Sequence, residues 1–172
     1  MRLLIYGFRP FLGYCENITE KIISRIPLRP DLHTHIFDVQ FDKDMFLNKS
    51  REVSPDIIVG MGQCHKGKRL RVEMIARNVM HDRETAEKSL IDPTAPRTIK
   101  SDLKLYRKKG TRRSYDAGDY VCNFSMFTYL HKPGRDYRYV FLHIPRNFPV
   151  IQTAAQISRM CDQLIAGTVG RI

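Results

Sequence analysis

"RLLIYGFRPFLGYCENITEKII", residues 2–23, decides the fold class. Its first part, "RLLIY" (2–6), is an apolar run of strand length. "GFRPFLG" (7–13) follows, where glycine opens backbone angles closed to other residues and Pro10 stiffens a turn. Asn17 then stands where it can cap a helix over 17–25, with Glu20 three residues on in a capping-box arrangement. Strand, glycine-bearing loop and capped helix make one β–α unit, and the rest of the chain repeats the alternation. "HIFDV" (35–39), "DIIVG" (56–60), "RLRVE" (69–73) and "YRYVFLHI" (137–144) read as strands. Helical patterns lie near 43–53, 99–109, 119–131 and 150–166, the last with Ile151, Ala154, Ala155, Ile157, Cys161, Leu164 and Ile165 on or near one face. "ETAEKSLIDPTAPRT" (84–98) has weak periodicity and two prolines, and reads as a long loop of the kind that often carries function. The expectation is one α/β domain over residues 1–172: a three-layer sandwich, its twisted sheet mostly parallel and covered by helices on both faces.

Composition narrows the class. With 172 residues, 42% of them hydrophobic, the chain can bury a sizeable core. No apolar run nears the roughly 20 residues that cross a bilayer. "MRLLIYGF" lacks the longer apolar stretch and cleavage site of a secretory signal, so it reads as the first strand and the sequon at Asn17 as idle. Four cysteines (Cys15, Cys64, Cys122, Cys161) stand far apart, which fits reduced thiols in a cytoplasm better than a disulfide scaffold. Cys64–His65, His33/His35 and His81 are the material for a metal site, but none shows a familiar zinc spacing. The net charge is +11, and between Lys66 and Arg113 there are 15 Lys/Arg against 6 Asp/Glu. Such a field can attract nucleic acid or another anionic partner. No nucleic-acid motif accompanies it and Tyr106 is its one aromatic, so a solvated basic face is the preferred reading.

Sites in parallel sheets form outside the carboxyl ends of the strands. Three such ends are informative. Phe8 and Phe11, after the first strand, are either a lid folded onto the core or an aromatic wall for a small flat ligand. "GMGQCHKGK" (60–68) fails the spacing of a phosphate-binding loop, yet its backbone amides and Gln63 can hydrogen-bond a neutral ligand. His143 closes "YVFLHIP", as a satisfied structural histidine or as a base. Cys122, in "YDAGDYVCNF" (115–124), falls near the start of a helix beginning around Gly118–Asp119. Buried cysteines are common. A cysteine at a helix N-terminus with an imidazolium nearby is instead favoured as thiolate, the nucleophilic form, and small Ala117 and Gly118 would let a substrate approach.

"GFRPFLG…NITEKI", "VEMIARN" (72–78), "DAGDYVCN" (116–123) and "FLHIP" (141–145) occur in that order. Together they resemble the pyroglutamyl-peptidase I (pyrrolidone carboxyl peptidase) family of cysteine peptidases. Its markers are a G-F-x-P-F-G-G opening, E-x-x-A-x-N, A-G-x-[YF]-[LV]-C-[ND] and a late H-[IV]-P. The resemblance implies a phosphorylase/peptidyl-hydrolase-like fold and hydrolysis of an N-terminal pyroglutamyl residue through a thioester. It assigns Cys122 as nucleophile, His143 as base and Glu73 as the acid orienting it. Phe8 and Phe11 become the lactam pocket, with Gln63 nearby. Arg83, matching an arginine associated with the site, becomes an oxyanion partner beside the Cys122 amide; otherwise it is a member of the basic face. No cofactor is implied. The implied partner is a pyroglutamyl peptide, without membrane or nucleic acid, and a homo-oligomer is a possible assembly. The chain departs from the pattern at Leu12, which replaces a glycine, and at Ile18, which replaces a proline. The loop after Arg83, the segment after His143 and the basic middle also differ. A relative with altered specificity or no activity, and a basic binding module, are therefore the alternatives.

Overall fold

The computed structural model describes residues 1–11, 13–65, 67–83, 85–103, 105 and 110–168. Sheet forms where the chain is apolar toward both faces, as parallel strands require. β1 (Leu3–Phe8) is buried along its whole length. It lies between β2 (Leu32–Phe37) and β3 (Ile57–Cys64), and β10 (Arg138–Pro145) follows β3, all four parallel. β4 (Leu70–Glu73) joins β10 antiparallel, and β9 (Thr111–Ser114) runs parallel to β4 at the edge, giving the order β2-β1-β3-β10-β4-β9. Two small ribbons stand beside this sheet: β5 (Ile75–Arg77) with β8 (Thr98–Lys100), and β6 (Met80–His81) with β7 (Lys88–Ser89).

Alternation of side chains along each strand divides the core in two. Val140, Leu142 and Ile144 of β10 pack with Leu3, Ile5 and Val59 under α1 (Ile18–Ile23) and α4 (Val150–Ile165). Tyr139 and Phe141 join Tyr6, Ile58 and Phe46 under α2 (Lys43–Val53) and α3 (Val121–His131). The expected α/β sandwich with a mostly parallel sheet is what forms. Asn17 caps α1 as expected, its Oδ1 accepting from Thr19 N at 3.0 Å.

Two expected elements differ. Residues 99–109 do not begin a helix: Thr98–Lys100 is a strand, Ser101 Oγ donates to the Tyr139 carbonyl at 2.8 Å, and Leu103 is buried. Pairing with β5 and burial of Leu103 override a spacing that suits either conformation; residues 104 and 106–109, with Tyr106, lie outside the described residues, as does Leu12. The 84–98 loop is partly ordered by β7 and by Asn78, whose Oδ1 accepts from Asp92 N and whose Nδ2 donates to the carbonyls of Asp92 and Ala95. β2 also starts and ends earlier than "HIFDV", because its register matches Leu32 to Leu3 and Phe37 to Phe8.

Candidate active site

β3 and β10 bring Gly62 and His143 side by side near the carboxyl end of the parallel strands. α3 sets its first turn above them. It begins at Val121 rather than at Gly118, because Gly118 has a φ of +85°, a left-handed angle that suits glycine and ends the incoming turn. Cys122 is thus the second residue of the helix. Gly62 is the floor beneath it: a Cβ there would stand 2.5 Å from the Cys122 sulfur, so only glycine lets the helix sit so close.

Glu73 ends β4 opposite Phe141, two residue pairs from His143, and so shares its face of the sheet. Its Oε1 lies 2.8 Å from His143 Nδ1. The Cys122 sulfur lies over Gly62, the cross-strand partner of His143, and its proximity favours the imidazolium. Sulfur, imidazole and carboxyl therefore form one row, each from a different element. Burial disfavours the imidazolium, but the interactions with Cys122 and Glu73 outweigh it, and His143 is pushed up to about 9. Glu73 is fully buried, and its Oε2 has no hydrogen-bond partner, so the ring carries the whole compensation of that carboxyl.

The first turn of α3 is held from both sides. Cys122 O accepts from Ser125 Oγ, which accepts from Tyr6 OH, itself 2.7 Å from Tyr139 OH. Asn123 accepts from Arg77 N and donates to the carbonyls of Arg77 and Val79, each at 2.8 Å. Tyr120 provides no side-chain cap and no acid stands in the first turn, so the helix end keeps its positive field toward the sulfur's surroundings.

The other expected residues separate into two groups. Phe11 packs against Tyr120 and Tyr14, and the Arg83 guanidinium lies 5.2 Å above the Tyr120 ring. These cluster around Tyr120, two residues before Cys122. Phe8 is not exposed: it is 1% accessible, edge-on to Tyr6 and Phe46, because the last residue of β1 still faces the aromatic core. Gln63 projects to the opposite face from the Cys122 sulfur, where its Oε1 accepts from Ile18 N at 3.0 Å. Sequence reasoning missed Gly62, Asn123 and Tyr120. The glycine of "GMGQC" and the asparagine of "VCN" were visible, but nothing local says that a sulfur or a neighbouring ribbon lies against them.

Among the described residues no three His, Cys, Asp or Glu side chains group as a metal site, and all four cysteines are free thiols. No helix among them is long and apolar enough to cross a membrane.

The pyroglutamyl peptidase family matches residues 1–169. Pyrrolidone-carboxylate peptidase of Thermococcus onnurineus is 31% identical over 167 residues, covering 84% of this chain and 84% of the relative. Pyrrolidone-carboxylate peptidase 1 of Saccharolobus solfataricus is 29% identical, covering 99% of this chain and 90% of its own length. The fold matches the solved pyrrolidone carboxyl peptidase of Thermus thermophilus with a TM-score of 0.77 at 19% identity, over 91% of this chain and 96% of that one. That of Thermococcus litoralis gives 0.73 at 22% identity, over 95% and 94%. Fold and family together define a hydrolase of the cysteine-peptidase class. The chain belongs to the pyroglutamyl peptidase family.

Proposed function

We propose that this protein removes an N-terminal pyroglutamyl residue from peptides, using Cys122 as nucleophile, His143 as acid and base, and Glu73 as the group that holds the imidazole. The observation that carries the proposal is the row joining Cys122, His143 and Glu73, with His143 held as a cation at neutral pH. A thiolate is the attacking species in this scheme. The sulfur adds to the pyroglutamyl carbonyl carbon, and the carbonyl oxygen takes the negative charge. Collapse breaks the C–N bond while His143 gives its proton to the leaving amine. His143 then takes a proton from water, the hydroxide adds to the thioester, and the C–S bond breaks to release pyroglutamate and the thiolate.

The backbone N–H groups at the start of α3, that of Cys122 included, are the oxyanion donors in this scheme, with the Arg83 guanidinium at the mouth as an additional cation. Phe11 and Tyr120 form the wall for the neutral five-membered ring. Phe8 and Gln63 act one step behind it. Phe8 N donates to Thr19 Oγ1 at 3.1 Å and Gln63 accepts from Ile18 N, so both ends of the loop that presents Phe11 are fixed. Free thiols at all four cysteines support a reducing, cytoplasmic setting.

A fluorogenic pyroglutamyl amide tests the proposal. Wild type is expected to hydrolyse it, and Cys122→Ser to lower kcat/KM by on the order of 10³-fold or more. Folded wild type that leaves the amide intact from pH 6 to 9 would remove the proposed activity.

A further inference from the structure

The cations of the middle segment have an ordered place in the sheet. Arg71 is the cross-strand partner of His143, and Arg112 is the partner of Arg71 on the next strand. Paired residues project to the same face of a sheet. Gly62, His143, Arg71 and Arg112 therefore form one row, running from beneath the Cys122 sulfur to the sheet edge. The row ends in a cleft of about 270 Å³ lined by Gly67, Lys68, Arg69, Arg71 and Arg112. Among the described residues no acid lines it, and none of the four cations is ion-paired. Arg71 is partly buried and its field reaches inward: burial raises the Cys64 thiol pKa, Arg71 opposes the rise, and Glu73 and Cys122 add to it. Cys64 thus lies within electrostatic reach of both the catalytic row and the basic cleft.

Four like charges gathered without a counter-ion favour a bound anion. We propose that this cleft binds a carboxylate of the departing peptide, an Asp or Glu side chain or the free C-terminus, and selects for acidic pyroglutamyl peptides. The inference rests on the pyroglutamyl peptidase function proposed above. The aromatic wall stands by the helix end, the leaving amine takes its proton from His143, and the basic cleft lies beyond His143 on the side away from the sulfur. Strands are about 4.8 Å apart and an extended chain advances about 3.3 Å per residue. A carboxylate on the second or third residue after the scissile bond therefore reaches Arg71 or Arg112. Phosphate of a nucleic acid would meet the same charge, but among the described residues no aromatic side chain lines the cleft to stack a base.

The test compares pyroglutamyl-Ala-Glu-Ala-amide, pyroglutamyl-Ala-Gln-Ala-amide and pyroglutamyl-Ala-Gln-Ala with a free carboxylate. Wild type is expected to prefer the Glu peptide over its Gln analogue by about five- to tenfold in kcat/KM at low salt, chiefly through KM, as one or two partly exposed ion pairs allow. The preference should shrink at high salt and collapse toward unity in the R71Q/R112Q double variant. The free acid against the Gln amide shows whether a terminal carboxylate also serves. Equal hydrolysis of all three peptides, or a preference kept by the double variant, overturns the inference alone. Hydrolysis of none by folded wild type overturns the proposed function and this inference with it. A single-stranded oligonucleotide that binds wild type but not R71Q/R112Q, with no preference among the peptides, assigns the cleft to nucleic acid instead.

Discussion

At the scale of single residues, the site depends on one proton and on the groups that hold it. His143 is raised to about 9 because Cys122 and Glu73 offset the cost of burying a cation. Turnover is expected to fall as pH rises through about 9, where the imidazolium proposed to protonate the leaving amine is lost. Replacing Glu73 by Gln keeps the shape but removes the carboxylate, so the ring moves back toward the ordinary 6.5 or so. The alkaline limb of the kcat/KM profile should then shift to lower pH, and the rate should drop by roughly 10²-fold or more. A profile unmoved by Glu73→Gln would show that the carboxyl does not hold the proton. Gly62 admits a second residue-scale test. Gly62→Ala puts a methyl 2.5 Å from the sulfur, within a site walled by Phe141, and is expected to displace α3 or the sulfur. Loss of turnover with the far-ultraviolet circular dichroism retained is the expected outcome.

At the scale of elements, the first turn of α3 is kept in place by neighbours instead of by its own cap. Asn123 makes three hydrogen bonds to the β5–β6 segment, and Ser125 links the Cys122 carbonyl to the buried Tyr6 and Tyr139 hydroxyls. Asn123→Ala leaves one backbone donor and two acceptors unpaired beside Cys122, the proposed nucleophile. It is expected to cost about 2–4 kcal/mol of stability, read as a lower denaturation midpoint in urea. Much of this arrangement was legible in the sequence. The alternation of the main strands with helices and the cap at Asn17 followed from the residues, whereas the grouping of Cys122, His143 and Glu73 came only from the resemblance of the ordered motifs to the family. What escaped was non-local. Thr98–Lys100 pairs with a strand more than twenty positions away, so no local periodicity could separate it from a helix. Phe8 looked like a loop residue because glycine and proline flank it, yet strand pairing with Phe37 keeps it in the core.

At the scale of the whole molecule, charge and protonation couple the site to stability. The folded-state value of His143 lies above its unfolded one. Its contribution to stability is therefore complete below about pH 6.5 and is lost as pH rises through about 9. The thermal midpoint of wild type relative to His143→Gln is expected to be greatest near pH 6 and to shrink by pH 9.5. A difference that grows with pH would reverse the sign assigned here. The net charge of +11 also acquires a location, because part of the basic middle segment forms the cleft beside His143.

The most direct measurement of the central claim is intact-protein mass spectrometry after rapid acid quenching of wild type mixed with an activated pyroglutamyl ester. A transient adduct equal to one pyroglutamyl acyl group, mapped to Cys122 by proteolysis and absent from Cys122→Ser, is the expected result. Turnover of the ester with the acyl group found on another residue, or persisting undiminished in Cys122→Ser, would contradict the account.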